Sequence, residues 1–367
     1  MRVAMFSDTY WPQNNGVATA LYHIHNAKKC WEDTIFSPIE HKDVITVKGL
    51  PFLFSYDYKI ALNTGWQLRG VIGDGEFDVV HNHTPYNMFY YGYRASKMLD
   101  LPLVGSFHTD PAAVFGSLIS TESEVGKVAT RLTWKYLIKL YNRCDSIIAP
   151  SEWAKGEILA RGIRGNVEVV PNGIDTKKFN PHVQTDEFLE KYSIPKGKKI
   201  VLFCGRLHKK KSPETFARAA KEASGDAVFV VVGKGALEGK LKTITRGRDN
   251  VIFTGYVPED LMPQAFAAAD IFVMPSEMET QGLVLAEALA SGAVGISTDV
   301  GSAREILSDE LIIPNGDHQA LAETIDYLLE NDTERGKIAK KQRQLIEEEF
   351  SIEAMIAKLE SLYKRVA

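Results

Sequence analysis

Two stretches of this 367-residue sequence gather charged side chains where an apolar run gives way to a loop. In Ser276-Glu277-Met278-Glu279-Thr280-Gln281-Gly282-Leu283-Val284-Leu285-Ala286-Glu287-Ala288, a strand is expected to end at Pro275, acidic side chains fill a short loop, and a helix begins near Gly282. The free N–H groups and dipole at a helix start make an anion site, and a glycine there lets a phosphate approach the backbone closely. Glu279 precedes that helix end and Glu287 lies inside the helix. Carboxylates are poor phosphate ligands but accept hydrogen bonds well from hydroxyls, which sugars and riboses offer. A helix-start acid and a solvated helix face account for the same two glutamates in plainer terms.

The second stretch is Phe203-Cys204-Gly205-Arg206-Leu207-His208-Lys209-Lys210-Lys211-Ser212-Pro213, an apolar strand that stops abruptly in a basic cluster. Arg206 and one lysine could clamp a diphosphate and stabilise its charge as it leaves. A solvated loop is the plainer account of Lys209 and Lys210. His108, in Gly105-Ser106-Phe107-His108-Thr109-Asp110, also ends a predicted strand, although a lone histidine is more often a packed or surface residue. His81 and His83 form an H-x-H at another strand end, a pattern that suggests metal; with no third ligand in sequence reach, they read as packing or cleft-lining residues.

Those positions need a scaffold that brings strand ends together. Short β-rich runs alternate with longer amphipathic stretches along the whole chain, the rhythm of βαβ units in parallel sheets. It occurs twice. The first half offers strands at Arg2–Asp8, Asp78–Asn82, Leu103–His108, Ser146–Pro150 and Val167–Val170. The second offers Lys199–Gly205, Ala227–Val232, Val251–Thr254, Ile271–Pro275, Val294–Ser297 and Leu311–Ile313. Ligands of open α/β sheets bind outside the carboxyl ends of the strands, where this chain places its polar residues. Pro171-Asn172-Gly173-Ile174-Asp175, a cluster of turn-formers, suits the connection between halves. The expectation is an α/β protein of two Rossmann-like domains facing across a cleft: 1–175 plus 350–367 on the acceptor side, and 176–349 binding the donor. The last helix, with Ile352, Met355, Ile356, Leu359 and Leu362 on one face, is expected to cross back to the first domain.

Composition narrows the class. With 45% hydrophobic and 25% charged residues the chain is an ordinary globular one, and a net charge of −4 gives no field for nucleic acid. Cys30, Cys144 and Cys204 lie far apart without C-x-x-C spacing, which argues against a disulfide framework or a zinc site and fits a reduced, cytoplasmic setting. The N-terminus does not read as a signal peptide, and no run approaches the roughly 18 apolar residues of a spanning helix. Any membrane contact is therefore expected to be peripheral, at the inner face. Lys127, Arg131, Lys135, Lys139 and Arg143 recur every four residues on an expected helix that also carries Trp134, Tyr136 and Tyr141, and a basic amphipathic helix of this kind suits an anionic surface. The alternative is a solvated face over Leu132, Leu137, Ile138 and Leu140 as core.

Taken together, the E-x7-E pair Glu279 and Glu287 around Gly282, and Gly205-Arg206-Leu207 with Lys211 five residues after the arginine, resemble the second domain of the family 4 retaining glycosyltransferases, which have the GT-B fold. The order also matches in the Pro12–Gly16 loop, the His108 segment and Pro171-Asn172-Gly173. The resemblance implies a hexosyltransferase using a UDP- or GDP-hexose, with no cofactor and no essential metal; no D-x-D triplet of the metal-dependent alternative fold occurs. It implies that Arg206 and Lys211 hold the donor diphosphate, that Glu287 accepts from the ribose, and that Glu279 and the Gly282-Leu283-Val284 backbone hold the transferred sugar. Gly205 accompanies Arg206, Gly255-Tyr256-Val257 falls where backbone contacts reach the base, and Gly16 opens the first helix near the phosphates, with Asn15-Gly16 where many members have two glycines. Thr280-Gln281 stands where an aromatic residue and a glycine often occur. His108 resembles the histidine that faces the donor sugar. The apolar run Pro111–Ile119 falls where an acceptor site forms, and suits a lipid or lipid-linked glycan.

Three rival readings share some of these features. Gly233-Lys234-Gly235-Ala236-Leu237-Glu238-Gly239 follows a strand like a dinucleotide fingerprint, but its third glycine is one residue late and no acidic residue closes the next strand, which weighs against an NAD-dependent oxidoreductase. A nucleotide-sugar epimerase or hydrolase of the same fold is the nearer alternative. A non-catalytic sugar-nucleotide-binding module would not need Arg206, Lys211, Glu279 and Glu287 together.

Overall fold

The computed structural model describes residues 1–13, 15–52, 55–62, 69, 72–73, 75–108 and 123–367, with 51–52, 55–58 and 60 described in their backbone alone. The run 111–119 lies outside the described residues. The chain divides into two compact units, Met1–Gly173 with Met355–Ala367, and Ile174–Ala354.

The first unit holds strands β1 (Arg2–Phe6), β2 (Glu32–Ser37), β3 (Val44–Thr46), β4 (Gly49–Phe52), β5 (Ser55–Ala61), β6 (Val79–Asn82), β7 (Leu103–Ser106), β8 (Ser146–Ala149) and β9 (Asn166–Val169). Seven of these form a sheet in the order β3-β2-β1-β6-β7-β8-β9, parallel throughout, while β4 and β5 form a separate antiparallel hairpin. The second unit holds β10 (Lys199–Cys204), β11 (Ala227–Val232), β12 (Val251–Gly255), β13 (Ile271–Met274), β14 (Val294–Thr298) and β15 (Ile312–Ile313). Its order is β12-β11-β10-β13-β14-β15, again parallel. Both orders reverse direction once, between β1 and β6 and between β10 and β13. Doubly wound sheets take ligands at such a reversal, outside the carboxyl ends of the strands.

Sequence dictates this layering. Strand β11 reads AVFVVV and is buried at every position, as a central parallel strand covered on both faces must be. Its Phe229 packs edge-on against Phe216 of the helix Pro213–Glu222, and burying one such ring contributes about 1.5–3 kcal/mol. In the first unit Phe6 of β1 stacks on Phe36 of β2 with centroids 4.8 Å apart. The helix Ile352–Val366 buries Met355, Ile356, Leu359, Leu362 and Tyr363. Its Tyr363 ring meets Trp31 edge-on at 5.3 Å within the first unit.

Strands begin and end within two residues of their expected limits, the polar residues at their ends turning out into loops. Strands β2 and β3 and the hairpin are additional to those expected. The helix Glu124–Tyr141 stops before Arg143, whose guanidinium lies over the Tyr93 ring instead. Leu132, a core residue only on the alternative reading, is 59% exposed.

Candidate functional site

In the second unit the loop after β10 is built on backbone crossings. Gly205 N–H donates to Val232 O at 3.0 Å, Leu207 N–H to Lys234 O at 3.0 Å, and Gly233 N–H to Gly255 O at 2.8 Å. A Cβ at Gly233 would lie 2.0 Å from Gly205 O, and one at Gly235 2.4 Å from Leu207 O. The glycines of the G-x-G element are thus accounted for by close backbone packing, with no phosphate needed to explain them.

Beyond Arg206, which is exposed, the chain tightens into the turn Lys209–Lys211, and Glu277 N–H donates to Lys210 O at 2.9 Å. This joins the loop after β10 to the loop after β13. At the junction the Lys211 ammonium pairs with Glu279 Oε1, which also accepts from Ser276 Oγ at 2.8 Å. Only 13% of the Glu279 side chain and 29% of the Lys211 side chain is exposed. Arg206, Lys211 and Glu279 therefore come from two loops that meet at the reversal of the sheet.

Gly282 caps the helix Leu283–Ala290 with φ +89°, a left-handed conformation that suits glycine, and a Cβ there would sit 2.9 Å from Met274 Cε. The approach to this cap is held by contacts that the sequence did not announce. Gln281 O accepts from Ser302 N–H at 2.9 Å and Ser302 Oγ at 2.8 Å, while a Cβ at Gly301 would lie 2.5 Å from Gln281 O. Thr298 Oγ1 donates to Ser276 O. Single small residues some 20 positions away carry no local pattern that would have identified them.

Glu287, half-buried on the same helix, has its carboxyl pushed up to about 8 by burial, with Lys178 opposing and Glu259 adding to the rise. Burial, and next the neighbouring Glu287, push the Cys204 thiol up to about 12, which ties Glu287 to the end of β10. Leu283 and Val284 are half-buried in the first helical turn. Gly255 has φ +68°, Tyr256 is 61% exposed and Val257 is buried.

In the first unit, Asn15 Oδ1 caps the helix Gly16–Ala27 by accepting from Ala18 N–H at 2.9 Å, and Asn15 Nδ2 donates to Thr9 Oγ1 at 2.8 Å. That cap gives a physical reason for asparagine before Gly16. His108 Nδ1 lies 2.9 Å from Asn172 Oδ1, and its Nε2 lies 3.2 Å from His83 Nδ1. Burial drives the His108 imidazole down to about 4, that of His81 to about 3, and His83 well below its ordinary range. His81 and His83 are both buried. Among the described residues no three His, Cys, Asp or Glu side chains gather as a metal-ion cluster.

A cavity of about 530 Å³ opens beside the helix Glu124–Tyr141, lined by Lys127, Arg131, Trp134, Lys135, Ile138 and Arg161. The Arg161 guanidinium stands 4.5 Å over the Trp134 ring. No helix among the described residues is long and apolar enough to cross a membrane.

Two doubly wound parallel sheets, with a basic and an acidic loop meeting where the second sheet reverses, make an α/β protein of two Rossmann-like units. Residues 24–178 match the family model described as Glycosyltransferase Family 4, and residues 184–348 match that of Glycosyl transferases group 1. The chain is 30% identical over 321 residues to a GDP-mannose-dependent alpha-mannosyltransferase of Mycolicibacterium smegmatis, spanning 84% of this chain and 82% of that one. It is 25% identical to an alpha-monoglucosyldiacylglycerol synthase of Streptococcus pneumoniae, over 95% of this chain and 83% of that one. The fold matches that of Anabaena HepE in complex with UDP, with a TM-score of 0.77 at 17% identity over 99% of each chain. The chain belongs to the family 4 glycosyltransferases.

Proposed function

We propose that this enzyme moves a hexose, with retention, from a UDP- or GDP-hexose to a hydroxyl of a membrane lipid or lipid-linked glycan. The observation that carries the donor half is the Lys211–Glu279 pair, which together with the exposed Arg206 lies in the loops at the carboxyl ends of β10 and β13. In this reading Arg206 and Lys211 take the diphosphate and offset the charge that develops on it, while Glu279 and the backbone at Gly282, Leu283 and Val284 hold the sugar. Glu287 accepts from the ribose, Gly205 lets the diphosphate near the backbone, and the backbone at Gly255, Tyr256 and Val257 faces the base. In the first unit, the resemblance assigns Gly16 to the phosphates and His108 to the transferred sugar. The acceptor hydroxyl attacks C1 from the face that the diphosphate leaves. The C1–O bond breaks with its electron pair on the departing phosphate oxygen, and the hydroxyl proton passes to that diphosphate. Two cationic side chains supply this stabilisation, so no metal is required.

The printed names support both donor bases, one relative's citing GDP-mannose and the Anabaena HepE structure's citing UDP, and another relative's cites a glucosylated diacylglycerol. They also support a lipid acceptor. A peripheral, cytoplasmic-face location is supported by the helix Glu124–Tyr141. Val125, Val128 and Leu132 are 68%, 56% and 59% exposed along one stripe turned away from the buried Trp134 and Leu137, with the exposed Lys139 within it and Lys135, Arg131 and Lys127 running round the helix on one side. A solvated face does not call for three bare aliphatic side chains, whereas an anionic bilayer surface takes both kinds.

The deciding experiment incubates the enzyme with UDP- and GDP-hexoses in chelator, with and without diacylglycerol vesicles. Nucleotide release that depends on the vesicles, with a new glycolipid of retained anomeric configuration, is the expected result. Release independent of any acceptor points to a hydrolase or epimerase and overturns the transfer reading.

A further inference from the structure

Three histidines in the first unit are arranged in a way that donor binding alone does not call for. His81, in β6, and His83, two residues on, stand with rings 3.9 Å apart. His81 is held at both nitrogens, by Tyr363 Oη at 2.6 Å and Ser106 Oγ at 2.8 Å. His83 lies nearly parallel to His108, with 12° between the rings, centroids 5.5 Å apart and 3.2 Å from its Nδ1 to His108 Nε2. His108 Nδ1 meets Asn172 Oδ1 at 2.9 Å. His83 is 1% exposed, and its Nε2 has no hydrogen-bond partner among the described residues.

A short contact between two ring nitrogens needs one N–H and one lone pair. Asn172 presents oxygen to His108 Nδ1, so that nitrogen carries the hydrogen. A neutral His108 then has a bare Nε2, which accepts from His83 Nδ1–H and leaves His83 Nε2 bare. Turning the Asn172 amide over would reverse every step and bury an unpartnered N–H on His83 Nε2. A buried orphan N–H is the rarer and costlier outcome, so the chain runs from His83 through His108 to Asn172. Burial keeps the rings uncharged, which the arrangement requires.

We propose that His83 is a positioning residue for His108, fixing it as the Nδ1–H tautomer with its ring plane set by the hydrogen bond to the nearly coplanar His83. Both ring nitrogens of His108 are then engaged within the protein, so His108 serves by shape and polarity and exchanges no proton during transfer. The functional half of this inference rests on the reading that His108 faces the donor sugar.

The test compares H83L, H83N and H108A in the full chain. An asparagine amide nitrogen stands near where a histidine Nδ1–H would, so H83N retains the donor and H83L does not. H83L is expected to lose about ten- to a hundred-fold in kcat with donor KM changed less than twofold, as for a slightly misplaced group, and H83N to recover most of it. Two-bond proton–nitrogen spectra of histidine-labelled wild-type protein are expected to show His108 as Nδ1–H, its signals identified by their absence in H108A. An Nε2–H form in the wild type overturns the inference, whatever becomes of the variants. So does H83L with unchanged kcat, or H83N impaired as deeply as H83L at equal melting temperature. If H83L does not fold, the wild-type spectrum and H83N still decide. Undiminished transfer by H108A overturns the placement of His108 at the sugar while leaving the tautomer result standing.

Discussion

Lys211 and Glu279, 68 positions apart in sequence, form an ion pair where the two loops at the reversal of the second sheet meet. Each holds the other's charge in a largely enclosed place. A diphosphate arriving there would meet an ammonium already oriented, and a sugar hydroxyl would meet a carboxylate already aligned by Ser276.

Arg206→Ala is expected to lower transfer on the order of a hundred-fold or more, as removal of one charge-stabilising donor does. Because Arg206 is exposed, its melting temperature should change little. Lys211→Met should lose activity comparably but also stability, since it strands Glu279. Steady-state rates together with thermal melts check both. Full activity in Arg206→Ala removes the diphosphate assignment.

Glu287 predicts a pH dependence of binding. Its carboxyl titrates near 8 in the unliganded protein and from 4.5 in the unfolded chain, so the stability it confers is complete below 4.5 and lost as pH rises through 8. Ribose hydroxyls favour the ionised form, so binding near pH 7 should release a proton and tighten as pH rises towards 8. Calorimetry in two buffers of different ionisation enthalpy measures that proton. Glu287→Gln should bind more weakly and without pH dependence over this range; a wild-type enzyme that releases no proton removes Glu287 from the ribose.

Two glycines separate a packing role from a fingerprint role. Gly282→Ala meets both a positive φ and Met274 Cε, and should destabilise by about 1–3 kcal/mol. Gly239 has nothing within 4 Å of its added Cβ and lies in the helix Glu238–Ile244, so Gly239→Ala should stabilise by about 0.5–1 kcal/mol and leave activity intact. Urea melts give both signs. Loss of activity in Gly239→Ala would revive the dinucleotide motif.

Arg131→Glu with Lys135→Glu should weaken sedimentation with anionic vesicles at least ten-fold, at roughly 1 kcal/mol for each basic residue near the surface, with transfer to a soluble acceptor retained. Leu132→Ser should weaken binding while leaving its salt dependence unchanged. Vesicle binding that is indifferent to all three changes assigns membrane contact to another surface.

Much of this architecture was legible because central strands of a parallel sheet announce themselves as unbroken apolar runs, as AVFVVV does. Strand β2 was not, since it opens on Glu32-Asp33-Thr34, and β3 has three residues, two of them exposed. At the site, Arg206, Lys211, Glu279 and Glu287 stood out by the resemblance of their motifs to the family's. Ser302 and Thr298, which hold that loop, did not, because a lone hydroxyl gains meaning only from the carbonyl it reaches across the fold. His83 was visible as half of H-x-H, yet its partner lies 25 residues away on the far side of a strand and a helix.

The crowding of Gly233 and Gly235 against the carbonyls of Gly205 and Leu207 divides labour between two segments of chain. The route of the loop is set from beneath by residues that present no side chain, and its chemistry is presented above by residues that do not set the route. Exposed positions such as Arg206 and Lys209 are thereby open to change in charge or reach without loss of path, while the two glycines beneath tolerate almost nothing. A scaffold arranged in this way can exchange its substrates by altering a few outward side chains, and its foundations would stay recognisable long after its specificity had drifted.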